Sequence, residues 1–165
     1  VGAGVASETT AAAIGEVGIV RRDPMAMKPF CGYNFADYWS HWLSFSEKSD
    51  KLPKIFHVNW FRQNEDGKFL WPGFGENLRV LRWIIDRCES RVSARSTSIG
   101  NIPNTKDIDT NDLDISKDVL EELLTVENKE WLQEVNSIGE YFETFGDRLP
   151  KELSNEFDKL KSALT

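Results

Sequence analysis

The sequence predicts a mixed α/β fold in which short strands and a hairpin precede a mostly helical C-terminal half. Three observations predict it. From Ser116 onward apolar residues recur at spacings of three and four, the signature of one helix face. Residues 54–61 alternate apolar and polar positions and run into Asn64-Glu65-Asp66-Gly67, a strand followed by a turn. A chain of 165 residues with 40% hydrophobic content is long enough to bury one modest core.

Taken in order, residues 1–18 are small and polar, carry four glycines and lack apolar periodicity, so they read as a terminus, a linker or a lid. Residues 18–23 read as a short strand stopped by Pro24. Phe30 to Asn34 form a turn into an amphipathic helix over 35–46, with Tyr38, Trp42 and Phe45 on one face. His41 in that helix has no apparent partner and reads as a structural histidine. The strand 54–61, the Asn-Glu-Asp-Gly turn and a short strand 68–71 make a hairpin. Both strand runs are expected to need partners from outside this chain, which would leave their edges exposed. Gly73-Phe74-Gly75 then leads into a helix over 76–91, with Leu78, Leu81, Ile84 and Ile85 as the expected core stripe.

Residues 90–115 are rich in Ser, Thr, Asn and Asp and read as loop. Within them Asp107, Asp109 and Asn111 imitate the start of a calcium loop. Its sixth position is Asp112 rather than glycine and its twelfth Asp118 rather than glutamate, so that reading is rejected. Ser116 is the expected N-cap of a helix through Val119, Leu120, Leu123 and Leu124. A longer helix opens at Asn128 and runs through Trp131, Val135, Ile138, Tyr141 and Phe142. A last one follows Pro150 through Leu153, Phe157, Leu160 and Leu164.

Net charge is −7, unevenly placed. Residues 1–100 carry 13 Lys and Arg against 11 Asp and Glu, whereas 101–165 carry 7 against 16, so the acidic half offers no phosphate-binding surface for nucleic acid. Two cysteines, Cys31 and Cys88, make neither a disulfide scaffold nor a metal motif, and a reducing compartment is expected. No apolar run approaches ~18 residues, and the N-terminal alanines lack the basic start of a signal peptide. The chain starts at Val1 rather than Met, which reads as a piece of a longer product.

One stretch points to chemistry. Phe61, Phe69 and Phe74-Gly75-Glu76-Asn77 fall within seventeen residues. Aromatic faces grip a flat base without reading it, while an amide presents donor and acceptor together and can tell base edges apart. Glu76 suits the positive end of a helix, and Asn77 would project its amide from the first turn. Spacing alone leaves a second reading open, in which these rings are ordinary core.

The segments Lys-Ile-Phe-His-Val-Asn-Trp-Phe-Arg (54–62) and Gly-Lys-Phe-Leu-Trp-Pro-Gly-Phe-Gly-Glu-Asn (67–77) resemble the guanine-site segment of the GTP-dependent phosphoenolpyruvate carboxykinases. The resemblance extends upstream to Ser7, Glu8, Thr9, Thr10, Ala11, Ala12 and Ala13, which are similar to that family's mobile lid, and to Asp23-Pro24-Met25-Ala26-Met27-Lys28-Pro29-Phe30. Downstream it reaches Ser98-Ile99-Gly100-Asn101-Ile102-Pro103.

This resemblance implies the C-terminal nucleotide-binding part of a carboxykinase fold, residues 1–103 holding the lid (7–18) and the guanine site (61–77), and 104–165 an acidic helical segment of the same domain. It implies conversion of oxaloacetate and GTP to phosphoenolpyruvate, GDP and carbon dioxide, by a monomer in the cytoplasm or the mitochondrial matrix. Phe61 and Phe74 would stack on guanine, Phe69 would close its edge, and Gly75, Glu76 and Asn77 would complete the nucleotide site. Manganese or magnesium would be held by residues upstream, with no metal ligand and no catalytic residue in this chain. Two lid positions depart from the pattern, Ala6 standing for arginine and Glu16 for lysine. The competing reading is a non-enzymatic interaction module, with an aromatic core and acidic helices facing a basic partner.

Overall fold

A computed structural model describes residues 3–5 and 20–165. The lid assigned to 7–18, with Ala6 and Glu16, lies outside the described residues. The chain divides into two compact units that interleave in sequence. One comprises the described residues of Val1–Leu52 with Leu132–Ala163 and Thr165, the other Pro53–Trp131 with Leu164. The compositional change near residue 103 is therefore not where these units part.

In the first unit β1 (Ala3–Val5) pairs antiparallel with β2 (Val20–Arg22), Ala3 opposite Arg22 and Val5 opposite Val20. The run expected as a strand over 18–23 thus finds its partner within the chain. Beyond β2, Arg22 reaches helix α4 (Asn128–Glu143), where its guanidinium pairs with the Glu134 carboxylate and donates to Ser137 Oγ at 2.7 Å. The Glu134 hydrogen bond raises the Arg22 pKa above its ordinary range, against the opposing effect of burial.

Helix α1 (Phe35–Leu43) begins where the Asn34 side chain accepts the Ala36 N–H at 2.9 Å, and it continues as a 3-10 turn through Glu47. Its buried residues are Phe35, Ala36 and Trp39, a face rotated by about 100°, one residue's step, from the expected Tyr38, Trp42 and Phe45 face. Tyr38 and Trp42 pack only at the margin and Phe45 is exposed. The small Ala36 lets the helix approach closely, so the wide rings flanking it go inward. His41 sits exposed in the last turn, its ring edge-on to Phe45.

Trp39 lies 5.8 Å from Phe142 and 4.9 Å from Phe145, ring centre to ring centre. Phe142 in turn meets Phe157 of α5 (Lys151–Leu164) at 5.9 Å. Gly139 makes room there, since a Cβ on it would stand 3.1 Å from the Phe157 ring. The edge-to-face pairs Trp39–Phe142 and Phe142–Phe157 add about 0.5–1.5 kcal/mol each beyond their buried area.

The second unit departs further from expectation. Residues 54–61 form no strand, although side-chain exposure still alternates along them. Phe56 and Trp60 turn inward, to Trp83 at 6.1 Å and Trp71 at 6.3 Å, while Ile55 and Phe61 face outward. Cations at either end tether the segment instead of a ladder. Lys54 Nζ donates to the Arg87 and Cys88 carbonyls at the end of α2 (Asn77–Cys88), and Arg62 to the Leu123 and Thr125 carbonyls that close α3 (Lys117–Leu123). Both contacts satisfy carbonyls that a helix end leaves open, with charge of the favourable sign.

The expected hairpin shrinks to its turn. Asn64 binds Lys68 and Gly67 through its backbone, Gln63 bridges Phe69, and the Leu70 N–H donates to the Arg62 carbonyl at 2.9 Å. The region expected as loop over 90–115 holds a true hairpin, β3 (Arg95–Thr97) with β4 (Gly100–Ile102), whose strands are too polar to show alternation. Gly100 takes φ 122° at its turn. Within the rejected calcium loop, Asp107 accepts from Asn104 and Asp109 from the Asn111 N–H.

Helix α2 also corrects the sequence reading. Trp83 is its buried residue, whereas Leu78, Leu81 and Ile85 of the expected stripe are exposed. Ser116 caps α3 as expected, accepting the Val119 N–H at 3.2 Å. Ser116→Ala should destabilise this helix by about 1 kcal/mol. Amide exchange across residues 117–123 measures this, and unchanged protection would show the cap to be idle.

Candidate functional site

The site is built within the second unit from an extended segment, a turn and a helix start. Alternation in the extended segment places Trp60 inward and therefore sends Phe61 outward. After the turn the same parity buries Leu70 and leaves Phe69 exposed. Phe61 and Phe69 meet edge to face at 6.0 Å with a 63° angle between their planes. Phe69 thus braces Phe61 and leaves a face of that ring open.

Gly73 then turns the chain with φ 135° and ψ −174°, a conformation only glycine adopts without strain. The 3-10 turn Phe74–Glu76 follows, and its last hydrogen bond runs from the Asn77 N–H to the Phe74 carbonyl. Phe74 is thrown clear of the surface. The three rings are 72%, 53% and 91% exposed at Phe61, Phe69 and Phe74. Burying such area is the usual reward of folding, so a cluster left open marks a place where something else covers it. The reading of these rings as core does not hold.

Asn77 is half-buried at the first position of α2. Its backbone N–H is committed to the Phe74 carbonyl. The Asn77 amide oxygen accepts a hydrogen bond from the Trp71 indole at 2.9 Å. Gly75 has open space around its Cα, so none of the described residues crowds the turn beneath Phe74.

The Glu76 side chain is engaged within its own helix. Its carboxylate accepts from Arg79 Nε at 2.6 Å, and Arg79 Nη1 donates to the Asp109 carbonyl at 3.0 Å. This hydrogen bond raises the Arg79 pKa, with the Asp109 carboxylate adding to it. Through Arg79, Glu76 ties the helix start to Asp109.

The structure brings Phe61 and Phe69 together and fixes Asn77 at the helix start that follows Phe74. The residue that sequence reasoning missed is Trp71, which reads as part of an ordinary Trp-Pro-Gly turn. Its signal was present: a donor-bearing ring just before a glycine turn that opens on an amide. Among the described residues no group of three or more His, Cys, Asp or Glu side chains could hold a metal ion, and no helix is long and apolar enough to cross a membrane.

Stacking faces beside an oriented amide can hold a planar heterocycle and discriminate its edge. Comparison with known proteins identifies the family. Residues 1–163 match the model of the phosphoenolpyruvate carboxykinase C-terminal P-loop domain. The chain is 50% identical to a phosphoenolpyruvate carboxykinase [GTP] of Chlamydia muridarum, over 99% of this chain and 27% of the relative. It is 51% identical to one from Chlamydia pneumoniae (99% and 28%) and 52% identical to one from Neocallimastix frontalis (99% and 27%).

Proposed function

This chain belongs to the GTP-dependent phosphoenolpyruvate carboxykinase family, and from that premise we propose that it supplies the guanine-recognising wall and the lid of such an enzyme. The chain spans 27–28% of the length of the curated relatives it matches. The full-length protein would convert oxaloacetate and GTP to phosphoenolpyruvate, GDP and carbon dioxide. Cleavage of the carbon–carbon bond to the departing carboxylate leaves an enolate, whose oxygen takes the γ-phosphoryl group of GTP. Manganese or magnesium would act through residues beyond this chain.

The chain's own share is binding and orientation. Phe61 and Phe74 would stack on the base, Phe69 would hold Phe61 at its angle, and the Asn77 amide would meet the base edge. Phosphoryl transfer depends on position and on exclusion of water. The small residues of 7–18, Ser7 through Ala13 among them, would order over the reacting groups at the expense of their own conformational entropy. The enzyme would work as a monomer, in the cytoplasm or the mitochondrial matrix. A non-enzymatic interaction module is not favoured, since the family match runs over nearly the whole chain.

The observations that carry this reading are the exposed rings of Phe61, Phe69 and Phe74 and the oriented amide of Asn77, three residues after Phe74. Its test is phosphoenolpyruvate formation by the full-length protein given oxaloacetate, manganese and either GTP or ATP. Turnover with GTP far above that with ATP is expected. Equal turnover with both, or none with GTP, would overturn the assignment.

A further inference from the structure

We propose that Trp71 is a positioning residue for guanine selectivity: its indole fixes which end of the Asn77 amide faces the base. This rests on the reading of Asn77 as the base-edge contact and adds to it the cause of the amide's orientation.

An asparagine amide is nearly symmetric in shape and opposite in chemistry at its two ends. Free to turn, it would offer its oxygen to a donor or its NH2 to an acceptor with similar ease. The indole N–H removes that freedom because it can only donate. An atom 2.9 Å from Trp71 Nε1 must therefore be the amide oxygen, Oδ1. Turning the amide over would set N–H against N–H and leave a buried donor unpaired. Trp71 is only 7% exposed and packs against Trp60, so neither water nor an easy ring movement would relieve it. The loss from an unpaired buried donor biases the two orientations about tenfold or more.

With Oδ1 held by the indole, the end left to a ligand is dominated by the two N–H donors of Nδ2. Guanine presents an acceptor, O6, where adenine presents the N6 amino donor. The locked amide is complementary to the first and opposed to the second. Selectivity then resides in a pair of residues six apart in sequence, of which only one touches the base. Leu70, whose N–H is tied to the Arg62 carbonyl, and the fixed turn at Gly73 hold the indole where this requires.

The test uses the full-length enzyme with Trp71→Phe and, as an isosteric second variant, Trp71 replaced by β-(3-benzothienyl)alanine, which keeps the bicyclic volume and lacks the N–H. Dissociation constants are measured for GDP, IDP and ADP, with KM and kcat for GTP, and Asn77→Ala serves as reference. The preference for GDP over ADP should fall about tenfold in both variants. IDP, which also carries O6, should follow GDP, and the change should appear in KM for GTP more than in kcat.

A structural role alone would weaken all three nucleotides together and preserve their ratios, which would overturn the proposal. Ratios are insensitive to the folded fraction, and the benzothienyl variant decides the matter if the phenylalanine variant does not fold. Loss of preference in Asn77→Ala but not in the Trp71 variants overturns this inference alone. Preference retained in Asn77→Ala overturns the base-edge reading beneath it.

Discussion

Replacing Asn77 by alanine in the full-length enzyme is expected to erase most of its preference for GTP over ATP, lowering the ratio of their kcat/KM values about 10- to 100-fold. Two losses combine. Guanine O6 gives up its donor in a site from which water is largely removed, a loss of about 1–3 kcal/mol. Adenine at the same time escapes the opposition between its amino group and Nδ2. A site built to hydrogen-bond a group discriminates strongly against ligands lacking it, and truncation removes the means of doing so. The effect on the nucleotides should fall mainly on selectivity, accompanied by some loss of stability because the buried Trp71 N–H loses its acceptor. Among the described residues the Asn77 side chain is bonded by the Trp71 indole and does not cap α2, so the helix itself should survive. Steady-state kinetics with both nucleotides checks this, and an unchanged ratio would remove Asn77 from the site.

How much of this could be read from the sequence depended on which physical signal each part leaves. Helices α3, α4 and α5 were legible because their caps and stripes are local: Ser116 caps, Val135, Ile138 and Phe142 go inward, and Pro150 precedes the last helix. The phase of α1 was not. Apolar residues surround that helix on several sides, and only packing against Phe142 and Phe145 selects Trp39 over Tyr38 and Trp42. For α2 the sequence marked an apolar face at Leu78, Leu81 and Ile85, but a period identifies a face and not what covers it.

The segment 54–61 shows how pattern and pairing separate. Its alternation is real and sorts Phe56 and Trp60 from Phe61, yet Lys54 and Arg62 secure it through helix carbonyls rather than a ladder. A strand propensity states that a residue suits an extended, half-buried backbone, and such a backbone need not be in a sheet. The β3–β4 hairpin is the converse case, paired without any alternation to announce it. At the site, the types Phe, Phe, Phe and Asn were visible in sequence, their exposure was not, and Trp71 was hidden by its resemblance to a turn residue. Its role exists only as a distance between two side chains.

Phe74→Ala and Phe61→Ala should each weaken binding of GDP and ADP alike, by about 5- to 150-fold, and leave their ratio unchanged. Loss of one stacking face is worth ~1–3 kcal/mol per base, and stacking is tolerant of base identity because every base has a π-face. Binding lost equally from substrate and transition state raises KM with little change in kcat. Phe74 gives the cleaner result. At 91% exposure its ring contributes almost nothing to the folded protein, so truncation should leave the thermal midpoint within experimental error. Phe69→Ala should have a smaller effect, since its ring acts by bracing Phe61 edge to face. Competition binding with GDP and ADP, read beside thermal unfolding, separates these outcomes. A shift in the GDP-to-ADP ratio on losing Phe74, with Asn77→Ala silent, would mean that the ring reads the base and the amide does not. Equal affinities for wild type and Phe74→Ala would mean that the open rings are not where the nucleotide binds.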